Sequence, residues 1–477
     1  MRRHRLDRVP AEARDAIARL QGELELPVDF PADVLDQAEE LRRHPPAPDE
    51  HRDLTGVEFV TIAPASSMDL DQAVHIERED DGYLVRYAIA DVGHWIEPGS
   101  PIDEEAHRRG QTLYAPGARV PLHPPALSED AASLLADGRP RPAVVWSMHL
   151  DARGEVREAQ VERAVVRNRA KLDYVGVQAD LDAGRAHPSI ALLPEVGELR
   201  QRLEAERGGI SLNLPEQEIE ERNGEWTLTL RALQPVEDHN AQISLLTGFV
   251  AARMQLDGGT GVLRTLPPAE QEAIDRLKRA ARTIGVPWSD DETYPEFVRR
   301  LDPNDPRELA VLLECTLLFR GADYRSFHGQ APEDGVVQAA LGAPYAHTTA
   351  PLRRLVDRYV LETCVALHAG RAVPDWVLEG QDRLPEIMRE SGRRARSYER
   401  AVLDIAEALM LVGHEGDVLD GVLVDVDPKR RRGVVQVPAS ALELQVSADP
   451  ADVGTEIRVR VDRVDVAHGK VRVTKVR

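Results

Sequence analysis

The sequence predicts an α+β protein made of several domains, because it is long and its pattern of residues changes twice. Its 477 residues correspond to about three domains of ordinary size. A helical stretch gives way near residue 49 to short β-type runs mixed with helices, and from about residue 413 only short alternating strands remain. We therefore predict an N-terminal helical module at 1–48, a mixed-sheet domain at 49–412 and a small barrel at 413–477.

Composition narrows the class of protein. The formal net charge of −22 argues against a protein that wraps duplex DNA, although a nucleic-acid enzyme can hold a basic channel inside an acidic exterior. The two cysteines, Cys315 and Cys364, are too few for a disulfide framework and indicate a reducing compartment. We find neither a signal peptide nor an apolar run long enough for a membrane. We expect a cytoplasmic protein without a membrane segment that acts as a monomer.

The N-terminal module contains two helical patterns. Apolar residues at Ala13, Ala16, Ile17 and Leu20 have the spacing of an amphipathic helix, and a second helix follows Pro31. The pair could form a small module of the helix-turn-helix type. The alternative is two helices that pack on the main domain, and the sequence does not decide between them.

The stretch at 59–73, FVTIAPASSMDLDQA, has the residues of a metal site. A β-type run leads into a loop of small residues that ends with Asp69 and Asp71. Side chains two residues apart in an extended segment point the same way, so the two carboxylates can face one point. Mg²⁺ is usually held by one or two carboxylates together with water and substrate phosphate. A solvated acidic turn has the same short pattern, and the motif alone does not exclude it.

Two helices downstream complete the mixed-sheet domain. Pro351 is predicted to open a helix whose first turn carries Arg353 and Arg354. A further long helix is predicted over about 376–412.

The barrel segment differs from the rest in charge. It holds eleven acidic and eleven basic residues, so it is neutral beside an acidic remainder. Its KRRR run at 429–432 is compatible with nucleic-acid contact, and equally with a solvated hairpin tip.

Five blocks of the chain, taken in order, resemble the RNB family, the catalytic module of RNase II, of RNase R and of the hydrolytic subunit of the eukaryotic exosome. The blocks are VTIAPASSMDLDQA, YAIADVGHWIEPGSPIDEEAHRRGQTLYAPGARVPLHPPALSEDAASL, NRAKLDYVGVQ, YAHTTAPLRRLVDR and YERAVLD. The resemblance implies an RNB catalytic domain, a mixed sheet packed with helices, at 49–412. Family members usually end in an RNA-binding OB-fold barrel, which the segment at 413–477 matches in size and strand pattern.

The resemblance implies a 3′→5′ exoribonuclease that uses Mg²⁺ to hydrolyse single-stranded RNA from its 3′ end to nucleoside 5′-monophosphates, in RNA turnover. By position, Asp69 and Asp71 match two of the four acidic residues of the family's metal cluster. Arg353 matches the arginine that clamps the scissile phosphate, a task for which a planar, bidentate guanidinium is suited.

Three further residues match positions that contact RNA in the family. Tyr114 and Tyr174 match aromatics at the 3′-terminal nucleotides, where stacking tolerates every base. Glu399 matches an acid near the terminal, leaving nucleotide. Outside the resemblance, Arg353 would be read as a surface ion-pair former and the two tyrosines as loop-packing aromatics.

The chain departs from the family at two metal positions. Gln72 replaces one acid, and its amide oxygen can still ligate a metal without contributing charge. Ala63 replaces another acid that is a direct ligand in the family, and a methyl group offers no lone pair. Either an introduced substitution or a naturally disabled member explains Ala63, and the intact remaining motifs favour the first. We expect this chain to be impaired in catalysis.

Three hypotheses follow. The first is the processive exoribonuclease, impaired here by Ala63. The second is a catalytically inactive protein that binds RNA 3′ ends with the same channel and barrel. The third is a transcriptional regulator that acts through the N-terminal helices, which the acidic net charge disfavours.

Overall fold

The fold was analysed in a computed structural model. It describes residues 11–476 except 49, 66, 115–118, 213, 215, 223–224, 232, 428–430 and 438–441. Part of the KRRR run therefore lies outside the described residues.

A seven-stranded sheet forms the centre of the main domain. Its strands are β1 Arg52–Asp53, β2 Phe59–Ile62, β3 Gln72–Glu79, β4 Gly82–Ala90, β5 Arg141–Leu150, β6 Val156–Val166 and β7 Asn168–Leu172. The spatial order is β1-β6-β5-β4-β3-β2-β7, with β1 parallel to β6, β2 parallel to β7 and the other pairs antiparallel. Strands β4 and β5 are buried along almost their whole length, and Trp146 at the middle of β5 is fully enclosed. Because helices cover the sheet, these strands read as nearly continuous apolar runs.

Among the described residues, eleven α-helices follow residue 90. They are α3 Val92–Trp95, α4 Pro101–Arg109, α5 Tyr174–Asp182, α6 Leu193–Glu206, α7 Pro235–Asp257, α8 Gln271–Ile284, α9 Tyr294–Arg299, α10 Pro306–Cys315, α11 Leu355–His368, α12 Asp375–Gln381 and α13 Leu384–Met410. Short strands lie between them: β8 Glu216–Arg222, β9 Glu225–Arg231, β10 Gly261–Thr265, β11 Asp323–Phe327, β12 Val337–Gln338 and β13 Ala343–Pro344. The predicted mixed α+β architecture is confirmed.

The C-terminal segment is a five-stranded antiparallel barrel. Its strands are β14 Val418–Asp427, β15 Arg432–Val437, β16 Leu442–Ser447, β17 Glu456–Asp465 and β18 Lys470–Val476. They pair in the order β16-β15-β14-β17-β18, and the edge strands β16 and β18 lie against each other, as closure of the sheet requires. The predicted OB-type barrel is confirmed.

The N-terminal helices are α1 Ala11–Glu23 and α2 Ala32–Arg43. The buried face of α1, with Ala16 and Ile17, belongs to the apolar cluster shared by α13 and the barrel. The buried residues of α2, Val34 and Ala38, belong to a different cluster around α3 and α4. Each helix therefore packs on the body of the protein, as the second of the two sequence alternatives describes.

Two predicted helices were wrong in detail. Helix α11 begins at Leu355, so both arginines precede it: Arg353 lies in the turn at 351–353 and Arg354 is extended. The long helix predicted over 376–412 is divided into α12 and α13, and Pro385 at the start of α13 fits such a boundary, since proline lacks the N–H that a continuous helix would need. None of the described helices has the length and apolar character to cross a membrane.

Candidate active site

The connection between β2 and β3, residues 63–71, is here called the acid loop. Its backbone is fixed from both sides. Lys171 on β7 donates to two of its carbonyl oxygens, at 2.7 and 2.5 Å, and the Ser133 hydroxyl bridges two further backbone groups, at 2.7 and 2.9 Å. Leu70 is buried against the core. With this residue turned inward, its acidic neighbours on either side face the opposite way.

The acid loop forms the floor of a cavity of about 760 Å³. Seven of the eight residues singled out from the sequence line it: Ala63, Asp69, Asp71, Gln72, Tyr114, Tyr174 and Arg353. Glu399 lines a neighbouring cavity of about 360 Å³, to which Tyr114 and Arg353 also contribute. The two cavities therefore meet at Tyr114 and Arg353.

Asp71 is the more deeply buried of the two acids. Its Oδ1 accepts a hydrogen bond from the Leu352 N–H at 2.7 Å, and its Oδ2 lies 3.5 Å from the Arg353 Nε. Burial raises the pKa of Asp71 to about 7, although the Arg353 charge and the Leu352 amide both oppose that rise. The acid loop and the segment before α11 are thus joined at Asp71.

Asp69 has different neighbours. Its Oδ2 accepts a hydrogen bond from the Tyr114 hydroxyl at 3.1 Å, and its Oδ1 lies 3.4 Å from the Arg119 Nη1. Arg119 also forms an ion pair with Glu129, which lines the same cavity. Sequence reasoning missed Arg119 and Glu129, because no local spacing relates them to the acid loop. Both residues lie inside the second block of the family resemblance, which was the one available signal.

The Gln72 side chain is engaged in two hydrogen bonds. Its Oε1 accepts from the Tyr87 hydroxyl at 2.7 Å, and its Nε2 donates to the Thr349 carbonyl at 2.6 Å. Both partners are buried. The amide therefore links β3 to β4 and to the segment before α11, and one of the lone pairs on its oxygen is in use.

The adjacent arginines Arg353 and Arg354 have different environments. The Arg353 side chain is 40% exposed and lies in the cavity. Arg354 makes two hydrogen bonds of 2.9 Å to Asp357, whose own Oδ1 also accepts from the Ala350 N–H at 2.7 Å. Although burial opposes the charge, Asp357 raises the pKa of Arg354 above its usual value. Arg354 is thus fixed within the fold, whereas Arg353 presents a guanidinium to a ligand.

The second cavity is rich in arginine. Its lining includes Arg264, Arg353, Arg354, Arg389 and Arg396. The aromatic ring of Tyr324 lies there under the Arg264 guanidinium, 4.6 Å from the ring centroid. The lining sets these five arginines against two carboxylates, Asp323 and Glu399, and this excess of positive charge in a chain of net charge −22 marks a place for an anionic ligand.

The donor set sets limits on metal binding. Among the described residues, no three His, Cys, Asp or Glu side chains are grouped so as to hold a metal ion. The Asp69 and Asp71 carboxylates are the anionic donors of the acid loop, and each faces a guanidinium. These residues fit one Mg²⁺ that shares its coordination with water and substrate phosphate. They do not fit a pair of ions held by protein ligands alone.

The sheet with its acid loop and the attached barrel define a known class of domain pair. Residues 51–368 match the RNB domain, and residues 417–476 match the C-terminal S1 domain of RNase II-type exonucleases. The first match covers well over half of the chain, so the chain belongs to the RNB family.

Individual relatives agree with this assignment. Ribonuclease R 1 of Lactococcus lactis is 26% identical over 431 residues, which are 83% of this chain and 51% of the relative. The structure of Mycoplasma genitalium RNase R in complex with ribose-methylated single-stranded RNA matches with a TM-score of 0.85 at 16% identity, covering 98% of this chain and 78% of that one. Yeast Ssd1, described as a pseudonuclease, matches with a TM-score of 0.67 at 15% identity, over 87% of this chain and 53% of that one. At these identities the structural matches show a shared fold.

This chain spans about half the length of the curated relatives that it matches, with shares of 51%, 40% and 50% for three of them.

Proposed function

We propose that this protein is a 3′→5′ exoribonuclease of the RNB type. It would hydrolyse single-stranded RNA from the 3′ end to nucleoside 5′-monophosphates with the aid of Mg²⁺, and Ala63 would impair the rate. The observation that carries the proposal is the convergence of Asp69, Asp71 and Arg353 on one cavity, although Arg353 is more than 280 positions away in sequence.

The proposed reaction breaks one phosphodiester bond per cycle. A water oxygen bonds to phosphorus, the bond from phosphorus to the upstream 3′-oxygen breaks, and that oxygen takes up a proton. The product is a nucleoside 5′-monophosphate and an RNA shortened by one residue. Mg²⁺, when bound at Asp69 and Asp71, would reduce the charge repulsion at the phosphate and activate the water.

The side chains of this protein would supply recognition and orientation. Arg353 would donate to two oxygens of the scissile phosphate, where a preplaced cation is most effective as charge develops. Tyr114 and Tyr174 would stack on the 3′-terminal bases, at about 1–3 kcal/mol for each base. Glu399 would contact the terminal nucleotide from the second cavity. Arg264, Arg389 and Arg396 of that cavity would bind the phosphates upstream of the scissile one.

A second candidate function is RNA 3′-end binding without cleavage. The observation that favours it is the reduced donor set, in which two carboxylates remain and each is paired with a guanidinium. A site of this composition can hold a phosphate through Arg353 and Arg119 while it binds Mg²⁺ weakly.

The test is a time course on a 5′-labelled single-stranded RNA, with Mg²⁺ or with EDTA. The chain as given is compared with Ala63→Asp, which restores the carboxylate, and with Ala63→Asn, which has the same shape without the charge. The exoribonuclease predicts successive one-nucleotide shortening that is faster in Ala63→Asp than in Ala63→Asn and absent in EDTA. Adding Asp71→Asn to Ala63→Asp should abolish it.

The two candidates give different results in this assay. If Ala63→Asp binds the RNA but releases no monophosphate, the exoribonuclease is rejected and the binding function stands. If neither form binds a single-stranded 3′ end, both candidates are rejected.

A further inference from the structure

Tyr114 and Arg119 are carried by a hairpin stem, the antiparallel pair of Leu113 and Val120. The Leu113 N–H donates to the Val120 carbonyl and the Val120 N–H donates to the Leu113 carbonyl, both at 2.9 Å. Tyr114 and Arg119 directly follow and directly precede this pair. The positions of both side chains over Asp69 therefore depend on where the hairpin stem lies.

The stem also holds Arg353, the arginine that is proposed to bind the scissile phosphate. The Thr112 N–H donates to the Arg353 carbonyl, and the Leu355 N–H donates to the Gly110 carbonyl, both at 3.0 Å. This pairing holds Arg353 in the turn before α11. A shift of the stem would consequently move Tyr114 and Arg353 together.

Arg109 connects this stem to the N-terminal segment. Its guanidinium donates to the Glu105 carboxylate at 2.6 Å, to the Pro121 carbonyl at 2.9 Å and to the Asp29 carbonyl at 2.8 Å. The same guanidinium lies 3.6 Å from the centroid of the Phe30 ring. Arg109 is 2% exposed, so its charge is enclosed by these four partners. Each of its nitrogens thus fixes a different part of the chain.

The N-terminal segment is itself anchored on both sides of Asp29 and Phe30. On α1, the Gln21 side chain donates to the Tyr398 hydroxyl of α13 at 2.8 Å. On α2, the Gln37 side chain accepts from the Ile102 N–H at the start of α4 at 3.0 Å. The segment between the helices is therefore held in place against the catalytic domain.

We propose that the segment around Asp29 and Phe30 is a positioning element for the RNA 3′ end, which acts through Arg109 on the stem of the Tyr114 hairpin. The proposal rests on the proposed function, because it assumes that Tyr114 contacts the terminal nucleotide. It assigns Phe30 and Arg109, outside both cavities, a role in placing that nucleotide. Neither residue touches RNA in this scheme.

The test uses RNA with 2-aminopurine at its 3′ end, whose fluorescence falls when the base stacks, and a separate 5′ fluorophore that reports overall binding. EDTA is present throughout, so cleavage plays no part. In Phe30→Ala the cation–π contact is lost. The affinity measured by the 2-aminopurine signal should then fall roughly 3- to 30-fold. Arg109→Lys keeps the positive charge but loses the guanidinium group that donates to three acceptors, and it should weaken this affinity similarly. The 5′ signal should change little, since the arginines of the second cavity are intact.

Controls separate this inference from the proposed function. Leu35→Ala on α2, at a side chain that is 46% exposed, should leave both signals unchanged. If the unaltered protein gives no 3′-end response, or if Tyr114→Ala keeps that response in full, the proposed role of Tyr114 fails. If Tyr114→Ala loses the response while Phe30→Ala and Arg109→Lys retain it, the positioning role is overturned. If Arg109→Lys has a lowered melting temperature, the test rests on Phe30→Ala alone, because Phe30 is only partly buried.

Discussion

At the scale of single residues, Asp71 combines a structural hydrogen bond with a buried titratable carboxyl group. Because burial raises its pKa to about 7, Asp71 stays protonated in the folded state at a pH where an unfolded Asp is ionised. Unfolding then releases a proton, so the contribution of Asp71 to stability falls as pH rises, by about 1.4 kcal/mol per pH unit, and levels off above pH 7. Asp71→Asn should remove this dependence.

Urea unfolding at several pH values between about 5 and 6.5, in EDTA, measures the difference. The free energy of unfolding of the unaltered chain should decline relative to that of Asp71→Asn over this range. Parallel pH curves for the two proteins would show that Asp71 is ionised in the fold. EDTA is needed because a bound cation would itself lower the pKa of the carboxyl.

The neighbouring arginines should respond oppositely to substitution. Arg353→Gln should weaken RNA binding with little change in melting temperature, because its side chain is 40% exposed and faces the cavity. Arg354→Gln should destabilise the fold by about 3–5 kcal/mol, because it leaves the buried Asp357 without its partner. Thermal melts and RNA titrations of both variants measure this. Equal loss of stability in the two variants would contradict the division of roles.

The sequence could predict part of this chemistry and not the rest. The two-residue spacing of Asp69 and Asp71 was enough to place both carboxylates on one side of the chain. That Arg353 faces Asp71 was expected from the resemblance alone, since no spacing in the sequence relates residues so far apart. Arg119 reaches Asp69 because a hairpin returns over the acid loop, and no local pattern encodes that contact.

At the scale of secondary structure elements, Gln72 ties the start of β3 to the segment before α11. An isosteric Gln72→Glu variant keeps the acceptor for Tyr87 but loses the donor to the Thr349 carbonyl. It should lower the free energy of unfolding by about 1–3 kcal/mol, the cost of an unmet buried polar group. If the side chain at position 72 links β3 to its neighbours and does not bind metal, Mg²⁺ should not restore the lost free energy of unfolding.

Thermal melts of Gln72→Glu with and without Mg²⁺ measure both effects. Gln72→Ala is the control, since it loses both hydrogen bonds without adding charge. A rise in melting temperature with Mg²⁺ that appears in Gln72→Glu alone would instead indicate a metal ligand at this position.

The segment before α11 shows why element boundaries were harder to predict than element types. The residue pattern of 351–368 is helical, and proline is common in a first turn. Yet the Arg353 carbonyl accepts from the Thr112 N–H and Arg354 bridges to Gln111, so the chain turns at Arg353 and is extended at Arg354. Tertiary pairing displaced the start of the helix to Leu355, and with it the direction of the Arg353 side chain.

At the scale of the whole molecule, α13 joins the second cavity to the barrel. Its residues up to Glu399, including Gly392, contribute to the cavity lining. Its second half, with Val402 and Ile405, shares one apolar cluster with barrel residues and α1. The change to short alternating strands near residue 413 correctly indicated a barrel. It could not show that the barrel and α13 share an apolar core. The domain boundary at 412 stays a prediction.

The charge distribution of the molecule gives its own prediction. Single-stranded RNA that lies in the second cavity would exchange counterions for arginines, so the logarithm of the binding constant should fall with the logarithm of salt concentration, by about 0.7 for each phosphate bound. Arg396→Gln should reduce that slope by about 0.7, because one phosphate contact is lost.

Arg393→Gln is the matched control, since Arg393 is exposed on the same helix but is not among the described residues that line the cavity. Titrations at several salt concentrations measure both slopes. Equal slopes for the two variants would place the RNA backbone outside this cavity, whereas a change confined to Arg396→Gln fits a path that leads from the arginines to the acid loop.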